Sequence, residues 1–238
     1  MGFQEINTEV VNEIDLSKDG NTLYTCNSNK TVGIWDIRNE LLYPDFDLHD
    51  GPVISIAYSK NGHYIATTSI DNTLKIWDAH FGELIHTFTG LCKSKNKLVF
   101  LDDINCVAVG NGEDFIGVYN YKTMSKDTSI ECKCIEINSF AYSQSTRFLA
   151  MSYQEDKIAV CDTKSGLDVI KFNAHTGTIT ALAFSAEGKY LASSGVDKSL
   201  KIWNPNLNKL VKSFRSIPSP ILCLCYSSNG EFLAAGCQ

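Results

Sequence analysis

The sequence predicts an all-β fold in which one small antiparallel sheet recurs along the chain. The first observation is a column of residues spaced 42 apart, each followed by an acidic or amide residue. The second is a four-residue turn and the third a set of apolar columns, both with the same period. Such equal spacing is typical of a repeat architecture. The members of the first column are Trp35, Trp77, Tyr119, Cys161 and Trp203.

The turn predicts a hairpin between the first and second strands of each unit. It occurs as SKDG, SKNG, SAEG and SSNG, and the corresponding positions of the third and fourth units contain LDDI and SQST. Glycine at a fixed turn position suits a backbone with positive φ, which tight hairpins require. The turn glycines are Gly20, Gly62, Gly188 and Gly230.

Apolar columns predict the strands on either side of this turn. In the first strand a large apolar residue recurs at Ile14, Ile56, Leu98, Phe140, Leu182 and Leu224. In the second strand a large residue is followed by a small one, which suits a strand buried on both faces. That small residue is Ala66, Ala108, Ala150, Ala192 or Ala234.

A third strand ends at the Trp column, and a fourth ends in a further apolar column. That last column consists of Phe46, Phe88, Ile130, Phe172 and Phe214. A four-stranded sheet cannot bury both of its faces alone, so neighbouring units must stack around an axis. The sequence therefore predicts a β-propeller of four-stranded blades.

These residues resemble the WD-repeat (WD40) family, which has a His before the first strand, an Asp in a turn, and Trp-Asp at the end of the third strand. The resemblance covers nearly the whole chain and implies one domain over 1–238. The next Trp-column position would be 245, beyond Gln238. We therefore expect an incomplete propeller with an exposed strand edge, shortened from the family's usual seven blades. The expected blades are approximately 9–48, 52–90, 95–133, 137–174 and 178–216, with a partial sixth at 220–238.

The resemblance also implies a buried hydrogen-bonded set in each intact unit. Two sets are complete: His49, Thr67, Asp71 and Trp77, and then His175, Ser193, Asp197 and Trp203. A His, Ser and Asp grouping also fits a catalytic triad. Two copies three repeats apart favour the structural interpretation, because a buried indole N–H needs an acceptor in any fold.

Three units depart from this pattern. The third has Leu91, Val109, Glu113 and Tyr119, the fourth has Lys133, Met151, Glu155 and Cys161, and the first has Asn7, Thr25, Asn29 and Trp35. Positions where a sequence breaks its own pattern are candidates for function. The third and fourth units are thus either part of a partner surface or blades that lost the polar set by neutral drift and are stabilised by their apolar columns.

The composition excludes several function classes. The net charge is -6, with 21 basic and 27 acidic residues, which disfavours a nucleic-acid partner. Nine cysteines and no secretory signal favour reduced thiols in the cytoplasm or nucleus. We expect no bound metal, because the closely spaced cysteine pairs Cys132–Cys134 and Cys223–Cys225 lack zinc-site spacing. No phosphate-binding loop or membrane span is present in the sequence, so we expect no cofactor and no small-molecule substrate.

The expected function is a non-catalytic scaffold or adaptor for protein or peptide partners. The family resemblance implies a partner face built from the loops before the first strand and between the second and third strands. An alternative is a subunit of a mitotic-checkpoint, nuclear-export or other multiprotein regulatory complex, from a local similarity over Lys209–Ala234. An enzyme is disfavoured because the channel positions Ser55, Lys97, Ser139 and Ala181 supply no catalytic set. Candidate partner-face residues are Asp50, Ile70, Lys93, Asp114, Lys133, Tyr153, Gln154, Val196, Lys198 and Arg215.

Overall fold

The computed structural model describes residues 10–17, 19–39, 41–47, 49–91, 97–110, 116–127, 134 and 136–237. Within these ranges the chain forms strands, with two 3-10 turns at Asp102–Ile104 and Pro205–Leu207. There are five antiparallel four-stranded sheets and one two-stranded sheet. The predicted all-β propeller, with five full blades and half of a sixth, is confirmed. No helix of the described residues is long and apolar enough to cross a membrane.

The strands follow one another in chain order within each blade. The first blade has β1 (Val11–Leu16), β2 (Thr22–Asn27), β3 (Thr31–Asp36) and β4 (Leu41–Asp47). The second has β5 (Val53–Tyr58), β6 (Tyr64–Ser69), β7 (Thr73–Asp78) and β8 (Leu84–Thr89). The third has β9 (Leu98–Leu101), β10 (Cys106–Gly110), β11 (Ile116–Asn120) and β12 (Ser125–Asp127).

The remaining blades repeat this meander. The fourth has β13 (Ser139–Ser143), β14 (Phe148–Tyr153), β15 (Lys157–Asp162) and β16 (Leu167–Asn173). The fifth has β17 (Ile179–Phe184), β18 (Leu191–Gly195), β19 (Leu200–Asn204) and β20 (Lys209–Phe214). The half blade has β21 (Ile221–Tyr226) and β22 (Leu233–Cys237). The first strands contact one another in the order β1, β5, β9, β13, β17, β21, so they lie nearest the axis.

The core lies between stacked blades. For example, Tyr24 and Val32 of the first blade pack with Val53, Ile56 and Trp77 of the second. In the second to fifth blades the alanine of the second strand faces a β-branched residue of the third strand, and this alanine is fully buried. These pairs are Ala66–Ile76, Ala108–Val118, Ala150–Val160 and Ala192–Ile202.

The turns confirm the expected positive φ where glycine is present. Gly62 has φ 84° and donates its N–H to the carbonyl oxygen of Ser59 at 2.9 Å. In the third and fourth blades, which lack this glycine, Asn105 and Arg147 have φ of 56° and 61°. The same turn direction is therefore reached there with side chains that tolerate it less well.

The described cysteines correct one expectation. Six of them are free, namely Cys26, Cys106, Cys134, Cys223, Cys225 and Cys237. Cys161 is disulfide-bonded, so the expectation of reduced thiols is wrong at that position.

Candidate functional site

The second blade brings its four polar residues into one hydrogen-bonded chain. His49 lies in the loop before β5, Thr67 lies on β6, Asp71 lies in the turn after β6, and Trp77 lies on β7. The His49 Nε2 to Thr67 Oγ1 distance is 2.7 Å, and Nδ1 lies 2.8 Å from Asp71 Oδ2. The Trp77 indole N–H donates to Thr67 Oγ1 at 2.9 Å.

The donor inventory fixes one of these bonds. An indole N–H can only donate, so Thr67 Oγ1 accepts from Trp77. A neutral His49 with its proton on Nδ1 would donate to Asp71 and accept the Thr67 hydroxyl proton at Nε2. Burial accordingly lowers the pKa of His49, although Asp71 opposes the effect. Burial raises the pKa of Asp71, but hydrogen bonds from Thr73 and His49 outweigh it and leave that pKa lowered.

The fifth blade repeats this geometry. His175 Nε2 lies 2.7 Å from Ser193 Oγ, and Nδ1 lies 3.0 Å from both carboxylate oxygens of Asp197. The Trp203 indole N–H donates to Ser193 Oγ at 2.8 Å. Burial lowers the pKa of His175. The pKa of Asp197 is also lowered, because hydrogen bonds from His175 and Ser199 outweigh the raising effect of burial.

The contacts of Ser193 decide between the two interpretations of this set. The order Ser193, His175, Asp197 is that of a hydrolase triad, with the hydroxyl on Nε2 and the carboxylate on Nδ1. However, Ser193 is fully buried and its oxygen accepts the indole N–H of Trp203. A nucleophile must reach a substrate carbonyl, so this hydroxyl is in the wrong place for attack. The geometry favours a structural role.

The units that break the pattern do so in different ways. In the third blade, Leu91, Val109 and Tyr119 are buried in one apolar cluster, so packing replaces the polar set. In the fourth, Met151 and Cys161 are buried together in another cluster. In the first, Thr25 Oγ1 and Trp35 Nε1 are buried without a hydrogen-bond partner among the described residues. The predicted members Asn7, Glu113 and Lys133 lie outside those residues.

The described candidate partner residues lie on what we call the upper face. It consists of the loops before each first strand and between each second and third strand; the other loops form the lower face. Asp50, Lys198 and Arg215 are exposed there, and Gln154 is half-buried. Ile70 and Val196 occupy the same position of the second and fifth blades and are 50% and 46% exposed. Lys93, Asp114 and Lys133 lie outside the described residues.

Tyr153, which the sequence suggests as an apolar anchor, is partly packed into the core. It is half-buried against the cluster that contains Cys134 and Met151. The Lys157 ammonium group also lies 6.0 Å from the centre of its ring. This leaves Ile70 and Val196 as the more accessible of the three suggested anchors.

The sequence analysis missed one channel residue, Glu13. Its carboxylate accepts hydrogen bonds from the Ser55 hydroxyl and from the Ile56 N–H and pairs with the Lys97 ammonium group. Glu13 therefore links the first strands of the first two blades to the residue just before β9. Ser55 and Ser139 act similarly, accepting the N–H groups of Leu98 and Leu182 in the next blade. Counting 42 residues back from Ser55 would have found Glu13.

Comparison with known proteins agrees with the fold. The family described as WD domain, G-beta repeat matches residues 4–36, 42–78, 166–204 and 208–238, together more than half of the chain. The unmatched stretch 79–165 includes the third blade and most of the fourth, which lack the complete polar set. A comparison with curated proteins gave no match. The chain belongs to the WD40 repeat family, whose propellers are generally non-catalytic scaffolds for protein interactions.

Proposed function

We propose that this protein is a non-catalytic adaptor that binds a protein or peptide partner on the upper face. The observation that carries the proposal is the exposure of Ile70 and Val196 at one position of two blades. An exposed apolar side chain on a fixed loop is suited to anchor a partner, since little conformational entropy is lost on binding.

The loops that present these two side chains are held on both sides. Asp71 and Asp197, which follow them in sequence, are bonded to His49 and His175. The Ile70 N–H donates to Pro52 at 3.2 Å, and the Val196 N–H donates to Thr178 at 3.0 Å. The hydrogen bonds that the two buried sets share would thus hold Ile70 and Val196 in the same position on their blades.

Glycines beneath both side chains support this placement. A Cβ atom at Gly51 would lie 2.8 Å from Ile70 Cγ1, and one at Gly177 would lie 2.9 Å from Val196 Cγ2. The preceding loop therefore approaches each anchor more closely than any other residue would permit. Exposed charged groups of both signs lie on the same face, including Asp50, Lys198 and Arg215, and would select a partner of complementary charge.

The matched test compares the two faces of the same two blades. Phe81 and Leu207 occupy one lower-face position in the second and fifth blades and are 77% and 69% exposed. Tagged wild-type, Ile70→Asp/Val196→Asp and Phe81→Asp/Leu207→Asp chains would be expressed in cells, and proteins captured with each would be quantified by mass spectrometry.

We expect the upper-face variant to lose partners by about tenfold or more, as for loss of hot-spot residues, and the lower-face variant to keep them. Equal capture by all three chains would contradict the proposal. Several proteins recovered in a constant ratio would identify a subunit of a larger complex. Because six of the seven described cysteines are free, we further propose a cytoplasmic or nuclear location.

A further inference from the structure

The second blade has two histidines side by side on the lower face. His63 follows the turn between β5 and β6, and His80 lies in the turn between β7 and β8. The centres of the two imidazole rings are 5.7 Å apart, and the ring planes are inclined at 45°. Both residues are exposed, whereas His49 and His175 are buried. The buried hydrogen-bonded sets therefore leave the imidazoles of His63 and His80 unused.

The backbone of the repeat brings these two positions together. The Ala79 N–H, next to His80, donates to the carbonyl oxygen of His63 at 2.9 Å. The first, third and fourth blades have the same bond at 2.8–3.0 Å, from Ile37 to Asn21, from Tyr121 to Asn105 and from Thr163 to Arg147. The juxtaposition thus belongs to the fold, and the sequence of each blade decides which side chains share it.

Among the five full blades, only the second has histidine at both positions. An imidazole nitrogen can bind a transition metal, whereas an ammonium or guanidinium group has no lone pair to offer. The other blades combine an amide with a cation, or two cations, and so lack a pair of such ligands. Their pairs are Asn21 and Arg38, Asn105 and Lys122, Arg147 and Lys164, and Lys189 and Asn206.

The distance between the two rings suits joint binding of one metal ion. Imidazoles bound to a tetrahedral zinc ion at about 2.0–2.1 Å have their ring centres roughly 5 Å apart. The observed separation of 5.7 Å is close to this value. Because His63 and His80 are both exposed, a small rotation of either ring about its side-chain bonds would bring the two nitrogens to one ion.

The carboxylate of Asp78 adds a negative charge beside the two rings. Its Oδ1 accepts the N–H groups of His80 at 2.8 Å and of Phe81 at 3.0 Å, which holds the carboxylate in the same turn. The hydrogen bonds from Phe81 and His80 lower the pKa of Asp78, and the charges of His80 and His63 lower it further. Asp78 therefore stays ionised and would partly offset the charge of a bound cation.

We propose that His63 and His80 together bind a divalent transition-metal ion such as Zn²⁺. Among the described residues no group of three or more His, Cys, Asp or Glu side chains could hold a metal ion, so the protein supplies two ligands. Water occupies the remaining positions of the ion. The expectation of no bound metal rested on the spacing of the cysteines and did not consider this pair. The site lies on the lower face and does not depend on the adaptor function.

Calorimetric titration of the full chain with Zn²⁺ at about pH 7.5, where free histidine is mostly neutral, measures the binding. The variants take residues that other blades have at the same positions, so the fold should tolerate them. They are His63→Asn, as at Asn21, and His80→Lys, as at Lys122. A His86→Ala chain is the matched control, because it removes a half-buried histidine from the same blade. NMR signals of the histidine side chains locate the bound ion.

We expect saturable binding of Zn²⁺ that shifts the signals of His63 and His80 and leaves those of His49 and His175 in place. Each of the two lower-face substitutions should weaken this binding by at least about tenfold, the loss that even outer supporting residues of metal sites cause. The His86→Ala chain should bind as wild type does.

Two further outcomes would overturn the site. One is the absence of saturable binding, or equal affinity of the wild-type, His63→Asn and His80→Lys chains. The other concerns the free thiols of Cys223 and Cys225, which can also bind zinc. If Cys223→Ser/Cys225→Ser abolished the binding and the shifts of His63 and His80, the metal would belong to the cysteines. We expect this chain to keep both.

Discussion

Thr67 and Ser193 show that the two buried sets use the same atom, a hydroxyl oxygen, at the same position. Both side chains accept an indole N–H and contact a histidine Nε2, although one is a threonine and the other a serine. The hydroxyl is therefore what the two positions share, and the additional methyl group of Thr67 is dispensable to the network.

This equivalence predicts the outcome of two substitutions. Thr67→Ala leaves His49 Nε2 and Trp77 Nε1 buried without partners, at a cost of about 1–3 kcal/mol for each group. Thr67→Ser keeps both bonds and removes one methyl group, which should cost about 1 kcal/mol or less. Equilibrium urea unfolding measures both free energies. Equal destabilisation by the two changes would show that the hydroxyl contributes little.

The neutral state of both histidines predicts how stability changes with pH. Burial lowers the pKa of His49 and of His175 in the folded protein. In the unfolded chain a histidine titrates near pH 6.5 and then binds more protons than in the folded state. The stabilisation is therefore fully present above about pH 6.5 and is lost as the pH falls through the lowered folded pKa.

Thermal unfolding at several pH values measures this loss of stability. The melting temperature of the wild-type protein should fall as the pH is lowered from about 7.5 to about 5.5, because histidine in the unfolded chain becomes charged over this range. A His49→Gln/His175→Gln chain should be less stable throughout and show a smaller fall. If the two chains lost melting temperature in parallel over this range, the histidines would not be the groups responsible.

How far single residues could be predicted depended on how uniform their columns are. The two complete sets were visible because His, Thr or Ser, Asp and Trp recur at fixed spacing. Glu13 was missed because its column varies in chemistry, with Glu13, Ser55, Lys97, Ser139, Ala181 and Cys223. The partial burial of Tyr153 arises from packing by Cys134 and Lys157, which no local pattern records.

At the level of strands, the polar side chains of the channel connect elements that no backbone ladder joins. Glu13 on β1 reaches Ser55 on β5 and Lys97 just before β9. The pair with Lys97 is about a third exposed on each side, so solvent screens it. The hydrogen bonds to Ser55 and Ile56 are the better protected part of this contact, because Ser55 and Ile56 are buried.

Two substitutions separate these contributions. Glu13→Ala removes every bond and should lower the free energy of unfolding by about 1–3 kcal/mol. Glu13→Gln keeps an acceptor for Ser55 and Ile56, loses the charge opposite Lys97, and should retain most of the stability. Urea unfolding at low and high salt would distinguish them, since only the ion pair is salt-sensitive. Equal losses for both variants would assign the stabilisation to the charge.

The positive φ of the turn between the first and second strands was predictable only where the chain uses glycine. Gly62 and its three equivalents marked the hairpins, because their φ is open to few other residues. In the third and fourth blades Asn105 and Arg147 adopt positive φ in less regular sequences, and no glycine signals the turn. The period still located the strands on both sides, since apolar columns depend on burial rather than on turn type.

For the whole molecule, the repeat predicted the fold class. The exposure of individual side chains was visible only in the structure. Ile56 and Leu182 are 4% and 6% exposed, but Ile14, in the same column, is 59% exposed. Sequence alone gives these three residues one role, because exposure depends on whether a neighbouring blade covers them. The candidate partner face was predicted from the family resemblance, but the close approach of Gly51 and Gly177 beneath Ile70 and Val196 was not, because it depends on packing between loops.

The absence of a shared ladder between the described sheets has a mechanical consequence. Each blade is closed by its own antiparallel pairing, while neighbouring first strands meet through isolated bonds such as Ser139 to Leu182 and through packing. If the chain were pulled from its ends, the contacts between neighbouring blades would therefore break before the strand pairing within the blades. Blades would then detach singly, and each 42-residue unit would release roughly 140 Å of contour length.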